Sequence, residues 1–194
     1  VYEFWCYLKI LAEVNKDPNQ IVKLVKGCGK FPAAPASKKQ DWSYYQIWDS
    51  KNNLINLVCA GTGIRRPDAL NTVHHPDISF QKPTANTTDD PSGLDIEIVL
   101  DAKYAYPTKK NGAPKKLGKI SRSIMSEFSH IVEVLLRANK TGKTTLNFGF
   151  LADLNSNVLL SNAFVQKEQT DACRIDCIKQ IGEFEIGKAF KVIP

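Results

Sequence analysis

Between Leu94 and Lys103 the chain reads Leu-Asp-Ile-Glu-Ile-Val-Leu-Asp-Ala-Lys, with Ile96, Ile98, Leu100 and Ala102 at every second position. Period-two alternation defines a strand with one apolar face. The other face carries Asp95, Glu97, Val99, Asp101 and Lys103, so a carboxylate and an ammonium stand side by side at the strand's end. A second carboxylate arrives from Pro76-Asp77-Ile78-Ser79-Phe80, a shorter alternating run upstream. Pairing of the two runs predicts that Asp77, Asp101 and Lys103 meet.

Two carboxylates and one lysine are the parts that hydrolysis of a phosphodiester needs. A hard cation such as Mg²⁺ is held by one or two carboxylates together with the substrate phosphate. The lysine positions a water and adds positive charge beside the phosphoryl oxygens. Context gives these letters their weight. Asp-x-Lys occurs also at Asp49-Ser50-Lys51, inside a turn sequence where both residues are routine, and Pro-Asp also at Pro67-Asp68, which no Ile-x-Phe alternation follows. Asp95 and Glu97 share the polar face and stand as further candidate ligands.

The whole chain is of one domain's size, 194 residues. Tyr2 to Val14 predicts an amphipathic helix, and Ile21 to Lys26 a shorter one after Asp17-Pro18-Asn19. Gly27 to Lys39 is a connecting loop. Trp42 to Trp48 and Leu54 to Ala60 predict a hairpin turning through Asp49 to Asn53. Gly61 to His75 is irregular, and Gln81 to Gly93 is a polar loop. Leu117 to Asn139 holds the longest helical pattern. Strands follow at Thr144 to Leu154 and Val158 to Val165, a short helix at Asp171 to Ile181 and an edge segment at Phe184 to Ile193. This order predicts an α/β domain with a central mixed sheet flanked by helices.

No apolar run approaches the roughly 18–20 residues of a membrane-spanning helix. Met125 is the only methionine, so residue 1 is not a translation start, and the chain is expected to be a domain of a longer protein. Its five cysteines lack a disulfide or zinc spacing, which points to reduced thiols and a cytoplasmic setting. The net charge is +6, and Pro107 to Arg122 concentrates Lys109, Lys110, Lys115, Lys116, Lys119 and Arg122 without an acidic residue. Such a segment suits backbone phosphates of a nucleic acid, or is a solvated lysine-rich loop. Other chemistries fare worse. His74 and His75 are adjacent and point apart on a strand, His130 sits in a helical pattern, and neither Gly61-Thr62-Gly63 nor Thr141-Gly142-Lys143-Thr144 completes a P-loop.

Pro76-Asp77, a variable loop and Asp101-Ala102-Lys103 resemble the PD-(D/E)XK nuclease superfamily. His75-Pro76-Asp77-Ile78 and Val99-Leu100-Asp101-Ala102-Lys103-Tyr104 are similar to the core motifs of McrC-like restriction nucleases. Tyr2-Glu3-Phe4-Trp5-Cys6-Tyr7-Leu8-Lys9 is similar to their opening helix. The resemblance covers roughly the first two-thirds of the chain. It implies a restriction-endonuclease-like core and a site of Asp77, Asp101, Lys103 and Glu3. Asp77, Asp101 and Glu3 would bind Mg²⁺ or Mn²⁺, and DNA would be cleaved by in-line attack to leave a 5′-phosphate. A first-turn glutamate is also favoured by the helix dipole alone, so for Glu3 both readings stand. The Leu117 to Asn139 helix lacks the Tyr-Arg or Gln-x-x-x-Tyr signature of some relatives. The expected function is a DNA endonuclease of restriction or anti-phage defence, with specificity supplied by an NTPase or specificity subunit, or by another domain of the same chain. Two alternatives remain at this stage: cleavage of RNA or single strands by the same fold, and a catalytically silent nucleic-acid-binding or assembly module.

Overall fold

A computed structural model describes residues 2–26, 44–85, 90–104, 122–135, 157–162, 178–182 and 191–193. Helix α1 spans Tyr2–Val14. Strands β1 (Gln20–Lys26), β2 (Tyr44–Asp49), β3 (Leu54–Ala60), β4 (Ile64–Arg66), β5 (Ala69–His74) and β6 (Ile78–Gln81) follow. A 3-10 turn at Gly93–Asp95 leads into β7 (Ile96–Lys103). Helix α2 (Arg122–Leu135) and strands β8 (Asn157–Ser161), β9 (Ile178–Gly182) and β10 (Lys191–Ile193) complete the order. The protein is α/β, with an eight-stranded sheet in the order β1-β2-β3-β6-β7-β8-β9-β10 and a separate β4–β5 hairpin. The sheet is mixed: β7–β8 and β8–β9 are parallel, whereas the other neighbours are antiparallel.

Alternation along the central strands separates two cores. Ile98, Leu100 and Ala102 of β7, Ile78 and Phe80 of β6, and Val158 and Leu160 of β8 pack against Cys6, Tyr7, Ile10 and Val14 of α1. Val99 and Leu159 point the other way and meet Met125, Phe128 and Val132 of α2. Each helix therefore covers one face. Full burial of side chains such as Ile98 or Val99 contributes about 1.5–3 kcal/mol apiece, which fixes the register, since a one-residue slip would expose the set.

Four expectations are corrected. Ile21 to Lys26 is a strand, not a helix. Six residues are too few for a stable isolated helix, and the β-branched Ile21, Val22 and Val25 pair instead with Tyr44–Asp49. Gly61 to His75 contains the β4–β5 hairpin, anchored by Ile64, which is buried in the α2 core. Ile96 does not share the face of Ile98. The register shifts between Phe80 and Gln81, pairing Phe80 with Ile98 but Gln81 with Ile96, and Ile96 turns into the α2 core. The expected Leu54–Ala60 strand and Tyr2–Val14 helix are observed with those bounds. The turn at Asp49 to Asn53 is held by Asp49, whose carboxylate accepts from the Lys51 and Asn53 amides. The short helix expected at Asp171 to Ile181 is corrected where it is described: Ile178–Gly182 is strand β9, paired with β8 and β10. Residues 171–177 lie outside the described residues, as do the expected elements at 27–39 and 144–154 and the basic segment 107–121.

The last turn of α2 meets the start of β7. A Cβ added to Gly93 would collide with the backbone carbonyl oxygen of Leu135. The carboxyl end of α2 therefore lies at the start of β7. Gly93→Ala is expected to destabilise the protein by about 1–3 kcal/mol, a loss of several degrees in Tm, because this contact leaves no room for a methyl group. Thermal denaturation monitored by circular dichroism checks this; an unchanged Tm would contradict the close approach.

A paired-carboxylate and lysine site at the sheet's carboxyl edge

The antiparallel register of β6 and β7 pairs Ser79 with Val99 and Ile78 with Leu100. The next step of that register sets Asp77 beside Asp101, on the face opposite α1. Cross-strand neighbours of this kind bring their Cβ atoms to roughly 4.5–5.5 Å. Asp77 is held there twice. Its backbone carbonyl accepts from the Gly61 amide at 2.9 Å, and its carboxylate accepts from the Ala102 amide at 2.7 Å. Pro76 supplies no N–H to extend the ladder, so the side chain of Asp77 takes over where backbone pairing stops. Gly61 adopts φ +61°, a left-handed conformation that glycine tolerates and that turns the chain after β3 toward Asp77.

Lys103 closes the site. Its Nζ lies 2.8 Å from Asp101 Oδ2 and 3.6 Å from Asp77 Oδ2. The lysine side chain is 32% exposed, against 15% for Asp77 and 8% for Asp101, so solvent reaches the site from the lysine side. Burial pushes the Asp77 carboxyl up, and the adjacent Asp101 pushes it further; Lys103 and the Ala102 amide offset only part of this, leaving a pKa of about 8. For Lys103, burial favours loss of the proton. The charges of Asp77 and Asp101, with a weaker pull from Glu3, outweigh it and hold the pKa above the ordinary 10.5. Lys103 is an ammonium at neutral pH. It is a donor and a charge, not a base.

The structure thus brings Asp77, Asp101 and Lys103 together. Glu3 stands apart at the rim: it is exposed in the first turn of α1, near enough for Lys103 and Cys6 to feel its charge. Among the described residues no group of three or more His, Cys, Asp and Glu gathers to hold a metal. Asp95 and Glu97 lie elsewhere. Asp95 ends the 3-10 turn, and Glu97 accepts from the Asn56 amide group at 2.8 Å. Four strand residues separate Glu97 from Asp101, about 13 Å. His75 is exposed, His130 is exposed on α2, and burial with nearby positive charge holds His74 below its ordinary pKa. Arg122 begins α2, and Lys109, Lys110, Lys115, Lys116 and Lys119 lie outside the described residues. Burial pushes the Cys6 and Cys59 thiols up to about 12, which keeps them protonated and unreactive.

Strand β8 adds what the sequence did not suggest. In the parallel register Lys103 pairs with Ser161, so buried Ser161 flanks the lysine, followed by buried Asn162. The side chain of Asn157 accepts from the Val99 amide at 2.8 Å and fixes this register at its other end. No spacing rule announces these residues, because the pairing joins segments far apart in the chain.

Two crowded carboxylates, one of them driven to bind a proton, suit a divalent cation. Mg²⁺ or Mn²⁺ held by Asp77 and Asp101 would neutralise their mutual repulsion, and two carboxylates are a common protein share of a Mg²⁺ shell. Without a cation, Asp77 makes stability depend on pH. Its folded pKa of about 8 exceeds the ordinary 3.8, so between these values the folded state binds more protons than the unfolded state, and stability falls as pH rises. In EDTA, Asp77→Asn is therefore expected to shrink the loss of Tm between pH 5 and pH 8, by roughly 2–4 °C for each kcal/mol relieved. Mg²⁺ is expected to raise the Tm of the unsubstituted protein more at pH 8 than at pH 5. Equal pH dependence of the two proteins would refute the crowded pair.

The chain matches no protein-family model, no curated protein and no solved structure.

Proposed function

We propose that this protein is a Mg²⁺- or Mn²⁺-dependent endonuclease domain with a restriction-endonuclease-like core, hydrolysing DNA phosphodiester bonds in restriction or anti-phage defence. The observation that carries the reading is the convergence of Asp77, Asp101 and Lys103 at one end of the central strands. Asp77 and Asp101 hold the cation, which supplies Lewis-acid stabilisation of charge on the phosphoryl group. Lys103, fixed as an ammonium, donates to the attacking water or to a non-bridging phosphate oxygen and aligns it for in-line displacement. A cation there would require the deprotonated Asp77 carboxylate, so its binding would improve as pH rises toward 8.

Helix α1 adds to this. Its amino end packs at the same rim, Tyr2 lying against Tyr104. The helix dipole thus favours an anion near the site. In open α/β sheets ligands gather at this edge. The chain leaves β7 beside Lys103 and re-enters the described structure at Arg122. The intervening lysines are proposed to contact backbone phosphates with affinity that falls steeply with salt. Sequence or modification specificity would come from another domain or a partner subunit, and the setting is proposed to be cytoplasmic.

Supercoiled plasmid incubated with Mg²⁺ or Mn²⁺ is expected to be nicked and linearised. Asp101→Ala and Lys103→Ala are each expected to lower the rate by about 100-fold or more, the scale on which a positioned charge or donor contributes. Cleavage unchanged by either substitution would end the proposal. Nucleic-acid binding with no cleavage at any metal concentration would instead identify a silent binding module.

A further inference from the structure

Three aromatic rings line the rim of the site on the α1 side. Tyr2 stacks on Trp5 with ring centroids 6.0 Å apart and an interplanar angle of 25°. Tyr2 also meets Tyr104 at 5.4 Å and 58°. Tyr104 follows Lys103 directly, one residue past the end of β7, and is 48% exposed. It also contacts Tyr2, so the ring cluster adjoins the charged site at the end of β7. The lysine and carboxylates lie on one side of the strand end, and the rings on the other.

This juxtaposition has a chemical meaning. A phosphate at Lys103 carries a sugar and a base to either side. A base in a duplex is stacked on its neighbours and offers no free face, whereas an unpaired base can lie against an exposed ring. A half-exposed tyrosine, backed by a second tyrosine and a tryptophan, is a stacking surface whose π-face accepts any base. Its tolerance of sequence suits a site that reads no bases through the charged residues.

We infer that Tyr104, supported by Tyr2 and Trp5, stacks a nucleobase next to the phosphate held at Asp77, Asp101 and Lys103, so that the site takes an unpaired strand. The inference rests on the phosphodiesterase reading of that site, but it is tested by binding as well as by cleavage. The unpaired strand is single-stranded DNA or RNA, or a duplex locally opened; the shared chemistry is the exposed base.

The test uses fluorescence anisotropy of labelled oligothymidylate, oligouridylate and a blunt duplex of equal length, with Ca²⁺ replacing Mg²⁺. Tyr104→Ala is expected to weaken single-strand binding by about tenfold or more while duplex binding changes less than about twofold, and Tyr104→Phe is expected to retain the single-strand affinity. Thymidylate and uridylate arms distinguish DNA from RNA. Loss of both substrates alike, loss of neither, or no single-strand binding by the unsubstituted protein would overturn the inference. Cleavage in Mg²⁺ separates it from the parent reading. If plasmid is cut and Tyr104→Ala leaves single-strand preference unchanged, the stacking surface fails while the nuclease stands. If nothing is cut but Tyr104→Ala still selectively abolishes single-strand binding, the stacking surface stands without the nuclease.

Discussion

The pairing of β6 with β7 is the interaction on which the rest depends. Its antiparallel register places Asp77 beside Asp101, and the end of β7 brings Lys103 onto both. Neither carboxylate would be held in that crowded position by its own conformational preference. The hydrophobic faces of the strands hold them there, because Ile78, Phe80, Ile98 and Leu100 are buried together beneath α1 and resist any slip. The electrostatic cost at Asp77 is thus sustained by packing elsewhere in the sheet, a division common at functional sites.

The two helices support that arrangement. Each covers one face of the same strands. The Lys103 ammonium, held against both carboxylates, offsets their repulsion. The Tyr2–Tyr104 contact ties α1 to the rim of the site. A substitution in the buried face of α1 would therefore act on the charged site through position, without touching it.

Much of this was legible in the sequence because it depends on local period. The alternation of Ile98, Leu100 and Ala102 against Val99, Asp101 and Lys103 gives strand, face and candidate site together, and the three- and four-residue spacing in Tyr2 to Val14 gives α1. The failures have physical causes. Ile96 defied the alternation because a register shift opposite Phe80 and Gln81 intervenes, and no residue type marks a bulge of that kind. Gln20–Lys26 became a strand because its β-branched residues found a partner in β2, and that pairing is not visible from the segment alone. The flank of Lys103 by Ser161 depends on a parallel pairing that only the folded chain makes.

Strand β7 is also the boundary at which the sheet changes from antiparallel to parallel. On its β6 side, Asp77 and Ala102 meet across 25 residues of chain; on its β8 side, Val99 and Asn157 meet across 58. Loop closure favours the nearer partner, so the carboxylate pair belongs to the part of the sheet with the lower contact order. The charged site can then form ahead of the parallel half, which arrives afterwards as a second wall. Substitutions in β8 would then alter what borders Lys103 while the β6–β7 pairing that creates the site stays as it is.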